Sequence, residues 1–96
     1  MSLGLLVKPE AEADIRAGFA YYEQHAGAGD RFRDRIESLL GQLTELPNAY
    51  PVLYQNVRRA LVRDFPYSLF YVVEPDRVVV LAVLHQARDP RGWPRP

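Results

Sequence analysis

Arg59 and Arg63 stand four residues apart in the stretch Val57-Arg58-Arg59-Ala60-Leu61-Val62-Arg63, and His85 and Arg88 follow the apolar run Val78-Val79-Val80-Leu81-Ala82-Val83-Leu84. These are the residues whose types could do chemistry. Residues at even separations along a strand project to one side, so Arg59 and Arg63 read as two cations facing the same way. Paired guanidinium groups can clamp a phosphate or carboxylate through parallel hydrogen bonds. His85 at a strand end could act as an acid, since histidine titrates near neutrality. Arg88, three residues on, could join it. An RNase that works without a metal needs a base for the ribose 2′-hydroxyl, cationic clamps and an acid for the leaving oxygen. Arg59, Arg63, His85 and Arg88 would supply clamps and acid. The base is missing from the sequence neighbourhood: no glutamate or lysine adjoins the arginine pair, Lys8 is the only lysine, and Glu45, at the end of the second helical pattern, could approach only through the fold. The competing reading is that the same arginines form a binding surface.

Each residue also has a plainer reading. Arg59 and Arg63 can be solvent-facing strand charges. His85 can bond a carbonyl at a strand end, and Arg88 beside Asp89 can form a surface ion pair that contributes little. Tyr67 and Tyr71 read as core or rim aromatics, and His25 as a helix-terminal residue favoured by the dipole. Trp93, flanked by Arg91 and Arg95, has the composition of an interface anchor; covering its own domain is the alternative. No histidines and carboxylates have ligand spacing and there is no cysteine, so no metal site is expected. No glycine-rich phosphate loop is present, and no cofactor is expected.

The elements that must position these residues are legible from spacing. Leu5 to Lys8 reads as a short strand. Pro9 suits the first turn of a helix, Glu10, Glu12 and Asp14 complement its dipole, and Ile15, Phe19 and Tyr22 recur at helical spacing to about His25. Gly27 and Gly29 end that helix. Asp30 reads as the N-cap of a second, whose stripe is Phe32, Ile36, Leu39, Leu40, Leu43 and Leu46. Leu46-Pro47-Asn48 stops it. Residues 47–56 read as a loop. Strands follow at 57–63, 67–73 and 78–84, with Glu74-Pro75-Asp76-Arg77 as a turn. The last, uninterrupted in apolar residues, reads as a buried central strand. The order β-α-α-β-β-β predicts an α+β fold with a helical hairpin packed on a small antiparallel sheet.

Ninety-six residues predict a single domain, 1–96. The absence of cysteine fits a reducing cytoplasm, and no apolar run reaches the ~20 residues that span a bilayer. Net charge is zero at pH 7, but residues 1–50 carry five basic and eight acidic side chains, whereas residues 51–96 carry seven and four. The C-terminal half therefore suits an acidic partner or a phosphate.

The opening Val7-Lys8-Pro9-Glu10-Ala11-Glu12-Ala13-Asp14-Ile15, the segment Arg63-Asp64-Phe65-Pro66-Tyr67-Ser68-Leu69-Phe70-Tyr71 and the closing Val83-Leu84-His85-Gln86-Ala87-Arg88-Asp89-Pro90 resemble, in that order, the ParE/RelE superfamily of toxins. These are the toxic halves of bacterial type II toxin–antitoxin (plasmid stabilisation) modules. The resemblance implies the RelE-like fold and a cognate antitoxin as partner, in a toxin–antitoxin hetero-oligomer or with a homodimer. RelE-like members cut mRNA on the ribosome; ParE-like members inhibit DNA gyrase. The long helical hairpin and the His-x-x-Arg-Asp-Pro ending resemble the ParE-like branch. A neutral chain also lacks the strongly basic surface that work inside a ribosome calls for. On that branch Arg59, Arg63, Arg88 and Trp93 would be binding residues. A third reading is a non-toxic member that only binds its antitoxin.

Overall fold

The computed structural model describes residues 2–87 of the chain. Its elements are β1 (Gly4–Val7), α1 (Pro9–Ala26), α2 (Gly29–Glu45), β2 (Val52–Tyr54), β3 (Val57–Leu61), β4 (Tyr67–Val73) and β5 (Arg77–His85). One sheet holds all the strands in the order β1-β5-β4-β3-β2. β3, β4 and β5 form the expected antiparallel meander. β1 joins in parallel, with Leu5 opposite Val78 and Val7 opposite Val80. The fold is thus α+β, two helices against a mostly antiparallel sheet.

The sequence reading lacked β2. This strand lies within the stretch read as loop, is three residues long, and pairs irregularly with β3, Val52 opposite Arg58 and Tyr54 opposite Val57. Gln55 turns the chain with φ of 49°. Three residues are too few to write a period-2 pattern, so the hairpin partner makes this strand. β3 is also shorter than expected, stopping at Leu61.

α1 begins at Pro9, whose missing N–H would have had no helical partner. It ends where Gly27 adopts φ of 60°, with the Gly27 and Ala28 amides donating to Glu23 and Tyr22 carbonyls. α2 starts one residue before Asp30, the expected cap. The reason is Glu23, whose Oε1 accepts the Gly29 N–H at 3.2 Å and so caps α2 from the end of α1. Asp30 moves into the first turn and pairs with Arg33 at 2.9 Å. The stripe of α2 buries Phe32, Ile36, Leu39 and Leu43. Leu46, 65 % exposed, falls off it because the helix ends at Glu45.

β5 buries seven consecutive residues, Val78 to Leu84, and contributes to two cores. Val78, Val80 and Val83 join the helical core with Leu69, Tyr71, Phe32 and Ile36. Val79, Leu81, Ala82 and Leu84 join Phe70, Val72 and Val57 in the other. Strict alternation would not put both Leu81 and Ala82 in one set. A bulge does so: Phe70 faces Ala82 but Tyr71 faces Val80, leaving Leu81 as the extra residue.

The helical hairpin closes on Phe32. A Cβ at Gly18 would sit 2.6 Å from Phe32 Cζ, so α1 can approach only with no side chain there. Around Phe32 gather Tyr22 at 5.4 Å, Phe65 at 5.2 Å and Tyr67 at 5.2 Å between ring centroids, in the range of favourable aromatic pairs. Phe65 comes from the turn between β3 and β4 and Tyr67 from the start of β4, so this cluster ties both helices to one end of the sheet. Gly18→Ala overpacks the contact and is expected to destabilise the chain by about 1–3 kcal/mol. Urea denaturation checks this; an unchanged midpoint would show that Phe32 does not set the helix spacing.

Candidate interaction site

Arg59 belongs to β3, paired with Phe70 of β4. It lines a cleft of about 270 Å³ with Tyr50, Pro51, Val52, Leu53 and Leu61. Arg63 is not on the strand. The ladder closes when the Val62 N–H donates to the Tyr67 carbonyl at 2.9 Å, and Arg63 opens the turn that follows. It lines a second cleft of about 250 Å³, with Leu61, Tyr50 and the α2 residues Arg35, Ser38 and Gln42. The two arginines therefore lie in adjoining clefts that share Tyr50 and Leu61, rather than side by side on one strand face.

The turn is shaped by Asp64, whose φ of 71° is rare for a residue with a side chain. Its Oδ2 takes hydrogen bonds from Arg35 Nε at 2.9 Å and Nη2 at 2.8 Å. Both groups are partly solvated, so the pair contributes only about 0–1 kcal/mol. Its effect is positional: it fixes the turn to α2. Among the described residues, Arg63 has no ion-pair partner.

Tyr50, the shared wall, is placed by two anchors on its loop. The Tyr71 hydroxyl donates to the Pro47 carbonyl at 2.8 Å, and Arg58 donates to the carbonyls of Tyr50 and Asn48. Burial raises the Tyr71 pKa above the ordinary 10.0, with the neighbouring Arg58 charge opposing the rise. Tyr71 is thus a core residue, as the plainer reading held. Leu61 is 57 % exposed and Val52 48 % exposed, and both border these clefts.

His85 sits elsewhere. It lines a cleft of about 270 Å³ between α1 and β5, with Asp14, Gly18, Tyr21 and Tyr67. β1 leaves β5 once the Lys8 N–H has reached the Val80 carbonyl. From there Asp14 guards the strand edge, accepting the Val83 N–H at Oδ2 over 3.0 Å. His85 Nδ1 accepts the Ala87 N–H at 3.1 Å, and its ring lies 5.4 Å from Tyr67. It bonds an amide, where a carbonyl was expected. Burial raises the Tyr67 pKa, helped by Tyr21 and Asp14. His25 donates from Nδ1 to the Tyr21 carbonyl at 2.8 Å, a helix-end role. Arg88 and Trp93 lie outside the described residues.

The arrangement can hold anions and apolar groups. It does not bring His85 to the arginines: His85 borders neither arginine cleft. Glu45 borders neither as well, so among the described residues no glutamate or lysine lines either arginine cleft. Among the described residues no three histidine or carboxylate side chains gather as a metal would need, and no helix is long and apolar enough to cross a membrane. Sequence reasoning missed Arg35 and Leu61 as site residues. Arg35 falls on the helix face away from the apolar stripe, and Leu61 lies in a segment whose alternation is only partial.

The chain matches the family model described as ParE toxin of type II toxin-antitoxin system, parDE, over residues 5–90. It is 27 % identical over 94 residues to Toxin ParE2 of Mycobacterium tuberculosis, in strain CDC 1551 / Oshkosh and in strain ATCC 25618 / H37Rv, covering 96 % of this chain and 90 % of each relative. In fold it resembles a chain of the chromosomal ParDE TA system from P. aeruginosa, with TM-score 0.66 and 18 % identity, covering 88 % of this chain and 96 % of that one.

Tyr22, Tyr67 and Tyr71 all have pKa values raised above 10.0, chiefly by burial. The folded chain holds these protons more tightly than the unfolded chain. The stability this lends is fully present below pH 10 and is lost as pH rises from there through the folded values. Urea midpoints measured from about pH 8 to about pH 11 are expected to fall, less steeply in Tyr71→Phe. That variant should also lose about 1–3 kcal/mol at neutral pH by leaving the Pro47 carbonyl without its donor. A slope equal to that of the unsubstituted chain would refute the role given to Tyr71.

Proposed function

The chain belongs to the ParE toxin family of type II toxin–antitoxin systems, and from that membership we propose that it binds and inhibits DNA gyrase and is neutralised by a cognate antitoxin. The observation that carries the proposal is the family match across residues 5–90, which takes in all the described elements but the first residue of β1. The site supports a binding protein over an RNA-cleaving enzyme. Its arginines border clefts with exposed apolar side chains, and the one histidine with a strand-end position is in a different cleft. Arg59 and Arg63 are the proposed contacts, with Arg88 and Trp93 from the closing segment. The chain acts as a single domain in the cytoplasm, where gyrase and DNA are, paired with its antitoxin in a hetero-oligomer. No cofactor enters the mechanism: inhibition follows from occupying a surface of the target.

Purified antitoxin-free protein titrated into a supercoiling reaction with relaxed plasmid tests this reading. Inhibition relieved by the cognate antitoxin is the expected result. Uninhibited supercoiling by folded protein overturns it, and mRNA cleavage on the ribosome then becomes the activity to assay. Arg63→Ala and Arg88→Ala should each weaken growth arrest. For Arg63→Ala, which removes an exposed side chain, the unfolding free energy should stay within about 0.5 kcal/mol of the parent. Undiminished growth arrest in both variants would remove these residues from the site.

A further inference from the structure

The helices account for the burial of only one face of the sheet. Side chains of α1 and α2 pack into the core that holds Val78, Val80 and Val83 of β5. The opposite core holds Val57 of β3, Phe70 and Val72 of β4, and Val79, Leu81 and Leu84 of β5, none of them more than 7 % exposed. Among the described residues no helical side chain belongs to it; its partly buried neighbours are Leu53 and Tyr54 of β2. β2 stands three strands from β5 in the sheet order, about 14 Å at the usual strand spacing. Leu53 and Tyr54 therefore border the face at one end and do not reach Val79, Leu81 and Leu84. On the other side Leu6 of β1, opposite Val79, is itself 38 % exposed. A strand with an uninterrupted apolar run, such as β5, is a strand covered on both faces.

This burial is reached within one chain. Beyond the described residues the chain has Met1 and residues 88–96. Met1 is a single residue beside β1. Residues 88–96 follow closely on β5, the strand whose second face is covered.

We propose that residues 88–96 dock on the sheet face opposite the helices, with Trp93 as their anchor over β4 and β5. Reach permits it. The six residues from Ala87 to Trp93 span up to about 20 Å, whereas Leu84 and Val79 lie about 17 Å apart along β5. Composition favours a face over an edge. Pro90, Pro94 and Pro96 lack the N–H that an added strand needs, so the segment attaches through side chains. Trp93 is its one large apolar side chain, and an aromatic residue of this kind buries about 150–250 Å². The docking is independent of the toxin reading. What it adds to that reading is that Trp93 meets a target as part of a surface already assembled on the sheet.

Trp93 is the only tryptophan in the chain, so its fluorescence reports the contact without any substitution. In the antitoxin-free protein its emission is expected to lie to the blue of that of a synthetic peptide of residues 88–96, with acrylamide quenching several-fold weaker. Emission and quenching equal to those of the peptide overturn the proposal. A second measurement locates the ring. Nuclear Overhauser contacts are expected from the indole protons to methyl groups of Val72, Val79, Leu81 or Leu84. Contacts to Ile15 or Leu40 in their place would put the segment on the helices and overturn the proposal equally. Both measurements are made on the protein alone. An undocked segment therefore leaves the toxin reading standing, and uninhibited supercoiling leaves a docked one standing.

Discussion

Phe32 reaches the sheet past a residue that has no side chain. Its ring passes so close to Gly18 that even a methyl group there would collide with it. That single close approach sets how near α1 lies to α2, and the spacing sets where Phe32 meets Tyr22, Phe65 and Tyr67. Interiors packed to crystal density do not absorb such changes by yielding locally. A shift of Phe32 would be felt at Phe65, and through it at the turn that carries Arg63 and Asp64. The clefts described above thus inherit their shape from a contact between two helices.

Three separate tethers converge on the cleft that holds Arg63. The aromatic cluster fixes the turn from beneath. The Arg35–Asp64 pair fixes it from α2. The bonds from Tyr71 and Arg58 to the 47–50 loop fix Tyr50 opposite. None of these groups is itself the unpaired cation. The paired charges hold geometry, and Arg63 is left without an ion-pair partner among the described residues. This division also explains why the segment from Arg63 to Tyr71 reads as a family motif although few of its residues face outward. Phe65, Ser68, Leu69, Phe70 and Tyr71 are all buried. Most of the motif is scaffold.

Both helices and the meander could be read from spacing, because each has a strong period or a long apolar run; a first strand was legible too, but its parallel pairing with β5 was not. β2 could not, since its three residues pair only because β3 is there to receive them. The start of α2 was misjudged by two residues because the cap arrives from Glu23, six positions earlier on another helix. For the site, sequence located Arg59 and Arg63 but set them on one strand face. It could not see that the ladder ends between them, because Val62 is as apolar as a strand residue should be. Arg35 and Leu61 were missed for a related reason: periodicity assigns a residue to the core or to solvent, whereas a cleft is made where elements distant in sequence meet.

β1 pairs with β5, so residues 4–7 find their partners at 77–80. Contacts between such distant segments require closure of nearly the whole chain, and they come late in folding. A growing chain on the ribosome can form the helical hairpin early, yet the sheet has neither its longest strand nor its parallel edge until β5 has been made. The Arg63 turn also waits, since its ladder closes on β4 and β4 packs on β5. The arginine clefts therefore depend on a strand that follows them in the sequence.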